Sequence, residues 1–137
     1  AVVFPRNNAP KHFITMVKQR GAMVAKGRLL GVQFDALFTD GLYMRISQHA
    51  IALAQLLRQK LTDLGYAFLV APQSNQLFPI LPDGVLEELG KTYTFSEQQR
   101  MDENSRAVRF CTSWASKEEN VISLCEALEN ISRNTGN

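Results

Sequence analysis

From Leu42 to Leu64 the apolar positions Leu42/Tyr43, Ile46, Ala50, Leu53, Leu56/Leu57, Leu61 and Leu64 recur every three or four residues and form one continuous stripe. This spacing predicts a long amphipathic helix. Gly65 stands where a left-handed residue ends such a helix. Thr39-Asp40-Gly41 breaks the chain before it, with Asp40 placed to cap the start. Upstream, Phe13, Met16/Val17, Met23/Val24, Leu30, Phe34 and Leu37/Phe38 also keep helical spacing, from a start after Ala9-Pro10. Gly21, Gly27 and Gly31 oppose it, each costing about 1 kcal/mol relative to alanine inside a helix. Either something approaches closely on that side or the helix is interrupted near Gly21. Val2 to Phe4 reads as a buried strand, stopped by Pro5 and the polar turn Arg6-Asn7-Asn8.

After Gly65 the period changes. Tyr66–Val70 and Gln76–Leu81 read as strands around the turn Pro72-Gln73-Ser74-Asn75, the second at an edge or interrupted because Pro79 has no N–H to donate. Asp83 is placed to cap a short helix that turns Val85, Leu86 and Leu89 inward and closes at Gly90. Thr92–Phe95 reads as a further strand, and the polar run Ser96–Asn104 as a loop or brief helical turn. Ser116-Lys117-Glu118-Glu119 has the form of a capping box, opening a last helix with Val121, Leu124/Cys125, Leu128 and Ile131 on its buried face. Asn134 to Asn137 reads as terminal coil. From Tyr66 the order is strand, strand, helix, strand, strand, helix: an α+β layer, a small sheet covered by helices and preceded by long helices.

The remaining strand, Ser105–Thr112, carries two arginines through apolar neighbours. Alternation puts Ala107, Arg109 and Cys111 on one face and Arg106, Val108, Phe110 and Thr112 on the other. Arg109 thus shares its face with small side chains. A half-buried guanidinium does not lose its proton and needs an anion. Two readings stand at this point. One is a structural ion pair, or a stem laid over the sheet with its head in water. The other is a fork gripping a carboxylate in bidentate fashion.

Composition narrows the classes. The 137 residues suffice for one domain or part of one, and 45% hydrophobic with 20% charged residues is the balance of a globular protein. A net charge of +2 is too mild to imply nucleic acid. No apolar run is long enough to span a bilayer. Cys111 and Cys125 have no zinc-like spacing, and the expectation is buried free thiols in a reducing cytoplasm. His49 and His12 lack a second ligand at useful spacing and read as surface or packing residues, so no metal is expected. Lys18, Arg20, Lys26 and Arg28 punctuate the glycine-containing segment. A basic helix start there suits a phosphate or carboxylate, although it matches no P-loop or dinucleotide pattern. Solvated basic residues on an outer face are the plainer reading.

The segment from Lys18-Gln19-Arg20-Gly21 to Arg28-Leu29-Leu30-Gly31, the long helix, Ser74-Asn75-Gln76-Leu77-Phe78 and Val108-Arg109-Phe110-Cys111-Thr112 together resemble, in order and spacing, the C-terminal portion of low-specificity threonine aldolases. These belong to the β-eliminating lyase group of fold-type-I pyridoxal-phosphate enzymes. The resemblance covers nearly the whole chain. It implies that residues 1–40 are the tail of a large cofactor-binding domain, 41–65 a connecting helix and 66–137 a small C-terminal α+β domain. It also implies a pyridoxal 5'-phosphate-dependent parent enzyme in the cytoplasm, a homodimer or homotetramer. The Schiff-base lysine would precede Ala1, so the chain alone would be inactive.

Residue by residue, the resemblance implies that Arg109 holds the substrate α-carboxylate, that Asn75 passes near the active site, and that Lys26 or Arg28 faces a cofactor phosphate. A turn or strand-end role suits Asn75 equally. The segment here also departs from the more glycine-rich Gly-Met-Arg-Gln version of other aldolases. Elimination or transamination on the same scaffold, or a non-catalytic interaction module, are the competing functions. The interaction module predicts a self-contained fold, whereas a portion of a larger enzyme predicts an uncovered apolar surface over Phe13–Phe38.

Overall fold

A computed structural model describes residues 2–135. The chain divides into two compact units, Ala1–Leu42 and Tyr43–Asn137.

In the first unit, helix α1 spans Phe13–Gln19 and α2 spans Arg28–Phe38, and neither has a buried residue. The glycine argument decides the break. Gly21 adopts φ +67°, a left-handed conformation that a side chain resists, and the helix stops just before it. Val2–Phe4 forms no strand. Its unit offers no strand for the ladder, and Phe4 instead packs edge-on against Phe13 with ring centroids 5.0 Å apart. Much of α2's apolar surface is open: Leu29 is 68% exposed, Phe34 56% and Phe38 59%. Asp40 sits at φ +51° in a short 3-10 turn, Thr39–Gly41, that leads directly into the next helix.

In the second unit, α3 (Leu42–Asp63) buries Ala50, Leu53, Ala54, Leu57 and Leu61 along the expected stripe. It ends as expected. Gly65 takes φ +81°, its N–H reaches the Thr62 carbonyl at 2.9 Å, and the Tyr66 N–H reaches Leu61 at 3.0 Å, a Schellman motif.

The sheet is antiparallel and centred on β4 (Ser105–Cys111). β1 (Gln76–Leu77) and β2 (Ile80–Pro82) pair with opposite ends of one β4 edge, and β3 (Ser96–Arg100) pairs with the other. The predicted Gln76–Leu81 strand is split at Pro79, which cannot donate but still accepts the Val108 N–H at 3.0 Å. The predicted Tyr66–Val70 strand shrinks to a single bridge, Phe68 to Pro79, at this interruption.

Helices α4 (Asp83–Leu89) and α5 (Glu118–Thr135) complete the unit. Leu53, Leu57 and Leu61 of α3 share one core with Val85, Leu86 and Leu89 of α4, Val108 and Phe110 of β4, and Val121, Cys125 and Leu128 of α5. Three local expectations fail, each because another partner competes. Asp83 is the first residue of α4, behind Pro82, and its carboxylate faces arginines rather than the helix end. Ser116 Oγ accepts from the Ser113 N–H at 2.9 Å, closing a turn instead of a capping box. Thr92–Phe95 is not a strand, since Tyr93 and Phe95 turn against the core, and the polar Ser96–Arg100 becomes β3. Helix α5 also carries on through Asn134 and Thr135, where coil was expected, while Gly136 and Asn137 lie outside the described residues.

Candidate functional site

β4 separates the two arginines as alternation predicts. Val108 and Phe110 are buried in the core, while Arg109 and Cys111 are exposed on the other face. The exposure of Cys111 corrects the expectation of two buried thiols; only Cys125 is buried.

Arg106 is saturated. Its Nε donates to Asp83 Oδ1 at 2.6 Å and its Nη1 to Glu97 Oε2 at 3.0 Å. Asp83 Oδ2 also accepts from Arg100 Nη1 at 3.1 Å, so one carboxylate joins two guanidiniums that stand opposite each other across β3 and β4. Hydrogen bonds from Arg100 and Arg106 hold the Asp83 carboxyl below its ordinary range, and Asp83 and Glu97 push Arg106 further up.

Arg109 is different. Among the described residues it has no carboxylate within ion-pair distance, and its guanidinium meets only the Ser96 hydroxyl, at 3.5 Å. Arg109 is exposed rather than half-buried, and among the described residues it makes no ion pair, which removes that reading and leaves two: a stem with its head in water and a fork open to a carboxylate. Arg109 keeps a free fork. It borders a cleft of about 450 Å³ with Tyr93, Thr94, Lys117, Asn120 and Ser123, next to the start of α5. Lys117, paired with Glu119 at 3.4 Å on the surface, is a second cation beside the same cleft.

Asn75 is half-buried and tied to the end of the arginine strand. Its Nδ2 donates to the Thr112 carbonyl at 2.7 Å, and its own carbonyl accepts the Thr112 N–H at 3.0 Å. Thr112, buried, donates its hydroxyl to the Ala50 carbonyl of α3 at 2.7 Å. Asn75 therefore performs the strand-end role. It is also near the open face: Nδ2 lies 3.6 Å from Cys111 Sγ. It borders a neighbouring hollow of about 340 Å³ with Ile46, Ser47 and Trp114, the last 70% exposed.

Lys26 and Arg28 lie in the first unit at the start of α2, exposed, beside a hollow of about 570 Å³ with Leu29, Val32 and Gln33. Gly27 precedes α2 with no side-chain cap, and the Leu29 N–H is taken by the Lys26 carbonyl at 3.1 Å, so the helix start offers few free donors beside the two cations. The two cations suit a phosphate. His49 proves a packing contact: its Nε2–H donates to the Ser116 carbonyl at 2.8 Å, tying α3 to the loop before α5.

Sequence reasoning missed Ser96, because a five-residue run without an apolar position gives no strand signal. It also missed the service of Asp83 and Glu97 to Arg106, 23 and 9 residues away along the chain. No signal in a single sequence pairs such distant charges.

No family model matches the chain. The low-specificity L-threonine aldolase of Pseudomonas sp. (strain NCIMB 10558) is 30% identical over 129 residues, which is 90% of this chain and 35% of that protein. The solved threonine aldolase of Leishmania major superposes with a TM-score of 0.84 at 32% identity, over 90% of this chain and 36% of that one. The serine palmitoyltransferase of Sphingomonas wittichii matches with a TM-score of 0.55 at 20% identity, over 65% of this chain and 25% of that one, a likeness of fold. The chain is homologous to low-specificity L-threonine aldolase and spans about a third of the length of the relatives it matches.

Proposed function

We propose that this chain is the C-terminal, substrate-clamping portion of a pyridoxal-phosphate-dependent threonine aldolase, cleaving β-hydroxy amino acids such as threonine to glycine and an aldehyde. The observation that carries the reading is Arg109, a guanidinium on a structured strand with no carboxylate of its own, in a chain homologous to threonine aldolase. The cofactor, when bound, supplies the electron sink for breaking a bond at the substrate's Cα.

Arg109 decides which bond. Two parallel N–H···O contacts to the α-carboxylate fix the rotation about Cα, so that the Cα–Cβ bond is the one held for cleavage. Asn75 keeps the end of β4 in place through Thr112. Lys26 and Arg28, exposed at the start of α2, are the residues that would hold the cofactor phosphate.

The lysine that carries the cofactor lies outside this chain in our reading. In its support, none of the described lysines is buried, and Lys60, the half-buried one, is engaged by Glu129; a lysine nucleophile is activated by desolvation or a neighbouring cation. Residues 1–40 then belong to the large cofactor-binding domain, 41–65 to a connecting helix and 66–137 to the small domain. The open apolar face of α2 supports that division. The same reading makes the parent a cytoplasmic homodimer or homotetramer and the isolated chain inactive. Among the described residues, no helix is long and apolar enough to cross a membrane.

The test is to assay the full-length protein with threonine, serine and an aromatic amino acid, with and without a keto acid. Acetaldehyde and glycine from threonine, independent of keto acid, are expected. Pyruvate from serine, or an amino group passed to the keto acid, would replace aldol cleavage by elimination or transamination.

A further inference from the structure

Arg109 has a single neighbour that could orient it, and the register of the sheet places that neighbour directly across from it. Ser96 and Arg109 are Cα partners in the β3–β4 ladder. Directly opposed residues on one face of an antiparallel pair are close enough for their side chains to meet. Ser96 Oγ accepts from Arg109 Nη2 at 3.5 Å, a long contact of the kind that tightens when an unliganded site fills. Only one of the five guanidinium N–H groups is used in this way, so a two-pronged face remains for a carboxylate.

The polar composition of β3 also acquires a reason. Ser96 faces Arg109, whereas Glu97 and Arg100 face the saturated Arg106 cluster, and the register shift between Glu97 and Gln99 accommodates both. Backbone pairing with β4 delivers Ser96 to Arg109, while the ion pairs gather at the other end of β3.

We infer that Ser96 is a positioning residue for the carboxylate clamp: its hydroxyl holds the Arg109 guanidinium in the orientation that receives the substrate carboxylate. This rests on the reading of Arg109 as that clamp. Loosening the fork weakens its grip on the carboxylate, and because the same grip sets the rotation about Cα, it also leaves part of the bound substrate misaligned for cleavage.

The test measures threonine cleavage by the full-length protein carrying Ser96→Ala, Ser96→Thr or Arg109→Lys, with melting temperatures. Ser96→Ala is expected to raise KM about fivefold, the worth of one ordinary hydrogen bond, with a smaller fall in kcat and the melting temperature unchanged. Ser96→Thr, which keeps the hydroxyl, should restore KM. If Arg109→Lys raises KM at least tenfold while Ser96→Ala leaves it unchanged, the clamp stands and the role of Ser96 is refuted. Failure of the threonine variant to restore KM, or a fall in kcat alone, refutes it as well. An unchanged KM in Arg109→Lys, or no cleavage by the unaltered protein, overturns the underlying reading instead.

Discussion

Arg106 and Arg109 lie three residues apart on one strand, and their surroundings are opposite. Arg106 has two carboxylates at 2.6 and 3.0 Å, and Arg109 has one hydroxyl at 3.5 Å. The first end of β4 is where α4 begins and β3 turns back, so acidic residues from these two elements converge there. The other end opens onto a cleft that no acidic side chain fills with a charge directed at Arg109. A guanidinium held by its own protein contributes to the fold. One that is held in place and left unpaired is available to a ligand.

The largest expected effect that sharpens this contrast is at Arg109. Replacing it with alanine removes both prongs of the proposed clamp, and kcat/KM for threonine in the full-length protein should fall about 100-fold or more with no loss of thermal stability. A parallel fall in melting temperature would place Arg109 among the structural arginines.

Next comes Asp83→Asn. It leaves Arg100 and Arg106 facing each other across the ladder with their shared carboxylate discharged. The melting temperature should drop while KM for threonine holds. A change in KM without a change in melting would reverse the assignment of the two ends.

The pH dependence follows the same geometry with a smaller effect. Hydrogen bonds from Arg100 and Arg106 lower Asp83 from its ordinary 3.8, and the Lys60 hydrogen bond lowers Glu129 from 4.5. Each therefore contributes stability that is present above its unfolded value and is lost as pH falls through its lower folded value. Unfolding followed from pH 6 to about pH 2 should show stability declining below about pH 4, with a shallower decline in Asp83→Asn. An identical acid limb in that variant would mean that the cluster is energetically silent.

The smallest effect is a labelling contrast. A thiol reagent should modify exposed Cys111 in the folded chain and reach Cys125 only on unfolding, because burial both covers the Cys125 thiol and pushes its pKa up. Equal labelling rates would contradict the two-faced picture of the second unit.

How legible all this was depended on the range of the interaction. The stripe of α3 and its stop at Gly65 were plain, since a helix and its glycine terminus are written in residues three to five apart. The faces of β4 were plain for the same reason. β3 was invisible: Ser96–Arg100 is wholly exposed, and what holds it is backbone pairing with β4 together with Glu97–Arg106 and Arg100–Asp83 contacts. Tyr93 and Phe95 have strand-like composition, but the core captured them as a loop. Alternation could say that Arg109 needed a partner. Only the fold could show that the available carboxylates had gone to Arg106.

The most direct test of the central claim is a paired measurement in the full-length protein: KM for threonine and melting temperature of Arg109→Lys beside Arg106→Lys. The account predicts a clean crossing. Arg109→Lys keeps its charge but loses the fork, so KM rises and the melting temperature holds; Arg106→Lys loses its double attachment to Asp83 and Glu97, so the melting temperature falls and KM holds. If both variants raise KM alike, or if Arg109→Lys lowers the melting temperature and leaves KM untouched, the division of labour along β4 is wrong.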